Sequence, residues 1–552
     1  MPYEHPVAAD TVFTPRWLPD LLFDAAARTP HAIAIDFLGK QINYAELAKA
    51  VRRAATGFRE LGAGPGVTVG LFLPNCPQYV IAYFGALAAG ARVANFSPLY
   101  TADELRAQVA DSEADIMVSL DVKALFPTIE AVFQTSRLKT LVIGNIAAVL
   151  PPPKAMLYRL FRRNERSPVP HNPGHVRFAK LLSGPEMDLS NASRDPHRVA
   201  LLQYTGGTTG TPKGAMLTHA SLGINAMQSL AIEDPAWVGD RVLAVLPLFH
   251  IFANTCIMNR TILNSGTIVM LPKFDVRQVL AAIARTRPTA FPAVPTMFRA
   301  LLNHPNIEKH DFSSLRICVT GGAPMPLPML EEVRTKLGIR VVEGYGLTES
   351  SGVVTVNPYM TPGKPGTVGQ PLPGTEIRLL DKDDPHKLTA PGESGELAFR
   401  GPQAMLGYWK RDNSTTIIDG FIRTGDIATV DDDGYYTIVD RLKDMVIVGG
   451  FKVFPGMLEE VLYRHRAVAE AVVVGVPDAY LGERPKAFVA LHAEWPATEA
   501  ELLQWLNARV GKHEQAVAVE IRPSLPKTMV GKLSRKELAA EARAAAGAAG
   551  QP

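Results

Sequence analysis

From residue 36 to about residue 342, short runs rich in Val, Leu and Ile alternate with stretches whose apolar residues recur every third or fourth position. The runs at 67–73, 243–246, 268–271, 317–320 and 341–342 have the length and composition of strands, and 276–285 carries a helical period. Strands alternating with helices predict layered α/β structure around a largely parallel sheet. The pattern changes after Gly344. Glycine and proline crowd 358–374 and return at Pro391-Gly392 and Gly401-Pro402, with short alternating runs at 377–380 and 396–399. That predicts a smaller β-rich subdomain over about 355–440. Another break falls at 440–444. Beyond it come a helical pattern around Leu458, Val461 and Leu462, strand-like runs at 471–476 and 487–491, and a helix to about Val510 opened by a Thr498/Glu501 capping box. The expectation is an α/β protein with a large N-terminal domain over 1–442 and a small α+β domain over 443–552. The last dozen residues, rich in Ala and Gly, are expected to fray.

The 552 residues suit several domains, at roughly 150 residues each. Hydrophobic residues make up 47% and charged residues 20%, enough for a large core. The net charge of +3 is too small to point to nucleic acid as a partner. Cys76, Cys256 and Cys318 lie far apart, which argues against a disulfide framework or a cysteine metal site and fits a reducing cytoplasm. The N-terminus lacks the basic-then-apolar form of a secretory signal. No run reaches the roughly 18 apolar residues of a membrane span. The apolar stretch 243–253 is broken by Pro247 and His250.

One segment stands apart. Residues 151–174 carry Lys154, Arg159, Arg162, Arg163 and Arg166 against Glu165 alone, and Leu157, Leu160 and Phe161 share a helical face. A solvated surface insertion and a basic amphipathic contact with anionic lipid, at the inner face of the membrane, both fit this pattern.

The strongest chemical signal is YTGGTTGTPKG at 204–214, directly after an apolar strand pattern at 199–203. Four glycines (Gly206, Gly207, Gly210, Gly214), four threonines (Thr205, Thr208, Thr209, Thr211) and Lys213 fall within eleven residues. Such a loop can wrap backbone N–H groups and hydroxyls around a polyphosphate, with Lys213 adding charge. It is not a Walker A loop, because Pro212 precedes the lysine and Gly214 follows it.

This loop resembles the phosphate-binding motif of the acyl-adenylate-forming superfamily, which includes acyl-CoA synthetases, luciferases and the adenylation domains of peptide synthetases. Six further segments match in order: LPLFH at 246–250, GGAP at 321–324, EGYGLTES at 343–350, RTGD at 423–426, DRLKDMVIVGGFKVFPGMLEEVL at 440–462 and PKTMVGKLSRKEL at 526–538. The likeness spans nearly the whole chain and is greatest to bacterial long-chain fatty-acid–CoA ligases. It implies Mg·ATP, a fatty acid and coenzyme A as ligands. It also implies the residue roles. Gly322, Ala323 and Pro324 would form a wall of the adenine pocket. Tyr345, between Gly344 and Gly346, would offer adenine a flat face. Thr348 would donate to the α-phosphate, and Glu349 would give Mg²⁺ a hard oxygen. Asp426 and Arg441 would hold the ribose. His250, which alone reads as a core histidine, would lie near the acyl carbonyl and pyrophosphate. Lys532 would bridge the attacking carboxylate and the α-phosphate.

The resemblance further implies two half-reactions, acyl-AMP formation and then transfer to a thiol. Lys532 enters for the first and leaves for the second by rotation about Lys443. After rotation Gly449, Gly450 and Phe451 would line the pantetheine tunnel, the glycines permitting close approach. An amino-acid adenylation domain usually has an aspartate just after the LPLFH position; here Ile251, Phe252, Ala253 and Asn254 follow His250. Apolar Ile224, Met227, Phe249, Ile251 and Phe252 favour an alkyl chain. A medium-chain or dicarboxylic acid, another acceptor, and a homodimer are alternatives that the sequence also accommodates.

Overall fold

The computed structural model describes residues 3–205, 212–237, 239–478, 480–528 and 531–549. Its largest sheet runs in the order His175–Arg177, Thr140–Gly144, Ala114–Leu120, Thr68–Leu71, Arg92–Asn95, Val199–Thr205, Lys213–Thr218. All neighbours are parallel except the last pair, which is antiparallel. The runs lack strict alternation because both faces are covered, as parallel sheets require. The helix Pro77–Ala88 is buried over its full length, so its apolar residues occupy every face. The helix Tyr44–Glu60 is amphipathic instead, and opens with a capping box between Asn43 and Glu46.

A second sheet joins Arg241–Ala244, Thr267–Met270, Ile33–Phe37 and Lys40–Asn43, and a third joins Cys318–Thr320, Val341–Tyr345, Thr355–Val356 and Gln370–Pro371. From Glu376 onward every strand pair up to Arg441 is antiparallel. One hydrophobic cluster runs from Trp17 to Ala428 through these layers. Two separate clusters serve the C-terminal region, one built from Val446 to Val519 and one from Val472 to Ala542. They pack on the two faces of the sheet formed by Phe451–Val453, Val446–Val448, Gly482–Leu491, Val468–Asp478 and Ala518–Ile521.

The chain end departs from expectation. Instead of fraying from 541, the helix Arg535–Ala549 continues through the alanine-rich tail. Alanine is the best helix former, and Leu538 and Ala542 anchor the helix in the second C-terminal cluster. Among the described residues no helix is long and apolar enough to cross a membrane.

Candidate active site

A cavity of about 910 Å³ opens where the third sheet, the antiparallel sheet and the C-terminal region meet. It gathers residues from distant parts of the chain: Thr205 and Lys213, His250, Gly322, Gly344 to Glu349, Asp426, Arg441 and Lys443, and Lys532. Gly206, Gly207, Thr208, Thr209 and Gly210 lie outside the described residues. Thr205 pairs directly with Lys213 at the open end of the strand pair, so both ends of the loop abut the cavity. Gly321 and Gly322 form one corner of the wall; Ala323 and Pro324 lie beyond it.

Tyr345, Asp426 and Arg441 form one unit. The Tyr345 hydroxyl donates to Asp426 Oδ2 at 2.6 Å, and Arg441 Nε lies 3.2 Å from Oδ1. Adjacent strands place Asp426 opposite Arg441 in register. Gly346 has no room for a side chain, since a Cβ there would collide with the Gly352 carbonyl. The chain therefore turns sharply into the short helix Thr348–Ser350, which buries Thr348 and Glu349 beside the cavity.

Glu349 accepts a short hydrogen bond from the Tyr408 hydroxyl, and burial raises its pKa. Tyr408 also lies under Lys213, with Nζ 5.2 Å from the ring centre. Sequence reasoning missed Tyr408, which lies 59 residues from Glu349 and in no matched motif. Glu349 fits a Mg²⁺ brought in by nucleotide, because Mg²⁺ commonly takes one or two carboxylates and completes its shell with phosphates and water.

Lys532 reaches the same cavity from the C-terminal region. A Cβ on Gly322, whose φ is +80°, would stand 2.7 Å from Lys532 Cε, so the lysine packs directly over that glycine. The Thr296 hydroxyl donates to the Gly531 carbonyl at 2.7 Å and ties the lysine loop to the large N-terminal layers. Burial, reinforced by the Arg441 charge and opposed by Asp426, pulls the Lys532 ammonium down to about 8. His250 is pushed down to about 3 by burial and by the Lys532 charge, so it is neutral at pH 7.

Two family models match the chain: AMP-binding enzyme over residues 22–409 and AMP-binding enzyme C-terminal domain over 457–532. The chain belongs to the AMP-binding enzyme family. A long-chain-fatty-acid–CoA ligase of Bacillus subtilis (strain 168) is 37% identical, over 98% of this chain and 96% of that protein. A feruloyl-CoA synthase of an Amycolatopsis species is 35% identical over 93% and 96%. Among solved structures, ATP-bound MatB from Rhodopseudomonas palustris aligns with a TM-score of 0.84 at 28% identity, covering 95% of this chain and 98% of that one. This AMP-binding enzyme is an acid–thiol ligase that uses ATP and coenzyme A.

Three residues of the AMP-binding enzyme's C-terminal region stand away from the cavity. Gly449 and Gly450 adopt φ of 56° and 88° at the tip of the hairpin Val446–Val448/Phe451–Val453. Phe451 is 62% exposed, its ring 5.2 Å from that of His513. Lys443, by contrast, lines the cavity next to Arg441.

Proposed function

We propose that the enzyme converts a medium- to long-chain fatty acid to its acyl-adenylate with release of pyrophosphate, then passes the acyl group to coenzyme A. The observation that carries this reading is Lys532, held in one cavity with Asp426, Arg441, Thr348 and Glu349. A carboxylate approaching the α-phosphate meets like-charge repulsion, and a buried cation between them lowers that barrier. Asp426 and Arg441 orient the ribose, and Thr348 donates to the α-phosphate. The loop 205–213 holds the outgoing phosphates. Mg²⁺ held through Glu349 would neutralise phosphate charge. Neutral His250 is suited to hydrogen bonding at the acyl carbonyl without adding a charge. Positioning and charge neutralisation carry most of such a step.

The fatty-acid assignment rests on the names of the relatives and on the apolar part of the cavity wall, which includes Ile232, Val242, Ala290, Ile317, Val319 and Val356. The second half-reaction requires Lys532 to leave and the Gly449-Gly450 tip to enter, by rotation of 443–552 against 1–442 about Lys443. A panel of carboxylates assayed for pyrophosphate release, with and without coenzyme A, tests the reading. Best efficiency with acetate or an amino acid would sink it.

The segment 151–174 is proposed as a reversible contact with anionic membrane, where long-chain acids partition. Met156, Leu157, Leu160 and Phe161 are 64%, 54%, 58% and 77% exposed on the helix Pro152–Phe161. Arg166 is committed to Asp121 at 2.9 Å and Arg162 pairs with Glu165, so apolar insertion contributes alongside charge.

A further inference from the structure

The wall of the cavity is not apolar throughout. Ser229, Glu233, Cys256, Arg260 and Tyr359 all line it. Arg260 directly follows the π-helical segment Ala253–Asn259, which begins three residues after His250. π-Helical turns recur at functional sites because they re-aim the residues after them.

Arg260 is only 5% exposed. Its Nε donates to Glu233 at 2.8 Å; Nη2 bonds the second Glu233 oxygen and lies 2.8 Å from Asp240 Oδ2. Its Nη1 is buried and has no hydrogen-bond partner among the described residues. Burial pulls the guanidinium down to about 10, which leaves it charged at neutral pH. A buried charged donor without an acceptor is costly, and the cost persists if the neighbouring space fills with a methyl end. The pairs to Glu233 and Asp240 account for Nε and Nη2 but leave Nη1 without a use.

We propose that the far end of the acyl channel recognises an oxygen carried at the distal end of the acyl chain, with the Arg260 guanidinium as its donor. This rests on the acyl-CoA ligase reading and narrows its substrate class to oxygen-functionalised fatty acids. Close to Arg260 stand two carboxylates, Glu233 and Asp240, while Arg241 and Arg316 act on Asp240 from farther away. A neutral hydroxyl oxygen therefore fits better than a second carboxylate, which Glu233 would repel. A site built to hydrogen-bond an oxygen discriminates strongly against the analogue lacking it, because the protein donor is then left unpaired.

The test is kcat/KM for pyrophosphate release by the full-length enzyme over a homologous series of alkanoates, ω-hydroxyalkanoates and α,ω-diacids. At the length that reaches Arg260, an oxygenated acid should exceed its alkanoate by about tenfold or more, with the hydroxy acid ahead of the diacid. A diacid in the lead would keep the oxygen recognition and assign the oxygen to a carboxyl group. Alkanoates equal or better at every length would overturn the proposal. The double variant Arg260→Leu/Glu233→Leu should collapse the preference to parity, and a preference that survives it would overturn the role of Arg260. Should that variant not fold, the wild-type series still decides. If no acid of any kind releases pyrophosphate, the ligase reading itself falls, a result distinct from fatty-acid activation without preference.

Discussion

At the scale of single residues, the charge on Lys532 is the variable that matters. Its ammonium is protonated below about 8 and loses its proton above. If the charge bridges carboxylate and α-phosphate, kcat/KM for Mg·ATP in acyl-AMP formation should fall as pH rises through about 8, the limb reporting the free enzyme. Lys532→Ala should slow acyl-AMP formation by about a hundredfold to a thousandfold. It should spare transfer from supplied acyl-AMP to coenzyme A, and single-turnover measurement of each step checks both expectations. Tyr408→Phe removes the donor to buried Glu349; about a tenfold loss in kcat/KM for Mg·ATP is expected, the order of one hydrogen bond to a charged group. That Lys532, Glu349, Asp426 and Arg441 belong together was legible because each sits in a short motif resembling the family's, and one cavity gathers all four. Tyr408 and Arg260 were not, because their significance arises from contacts with residues far away in sequence. In a linear reading Arg260 is one more arginine in an apolar helix.

At the scale of elements, the two glycines at the hairpin tip matter more for what must pass them than for the pose seen here. Gly449 and Gly450 both hold positive φ, and a Cβ on Gly449 would already stand 3.1 Å from Leu481. Gly449→Leu should therefore impair transfer to coenzyme A while leaving acyl-AMP formation largely intact, measured step by step as for Lys532→Ala. The helix Pro152–Phe161 carries a separate expectation. Liposome co-sedimentation with anionic vesicles should weaken when Leu157, Leu160 and Phe161 are replaced by Ser, and equal binding by both forms would remove the membrane reading. Strand and helix identities were legible wherever apolar runs or caps marked them, as at 199–203, which begins the strand Val199–Thr205, and at Thr498. The tail was misread because composition suggested fraying, whereas packing of Leu538 and Ala542 against the sheet fixes the helix.

At the scale of the whole molecule, the proposed cycle needs one C-terminal unit to serve two chemistries. Arg535 ties the lysine-bearing region to the junction: Nη1 lies 3.2 Å from Asp440 and 3.3 Å from Asp444, and Nη2 2.5 Å from Glu459. Lys443 sits between these acids, in the stretch that would absorb the rotation. Lys443→Pro, which restricts φ there, should resemble Gly449→Leu by holding the adenylating pose. Alternation of two poses is implied only by the motif resemblance; hydrophobic pattern marks a boundary near 440–444 but says nothing of motion across it. Beneath all of this lies the claim that a carboxylate attacks the α-phosphate before any thiol is involved. The most direct measurement is exchange of labelled pyrophosphate into ATP by the enzyme with Mg²⁺ and a fatty acid, coenzyme A omitted, followed by product analysis once coenzyme A is added. Acid-dependent exchange without coenzyme A, then AMP, pyrophosphate and acyl-CoA, is the expected outcome. ADP and orthophosphate as products, or no exchange until coenzyme A is present, would overturn the account.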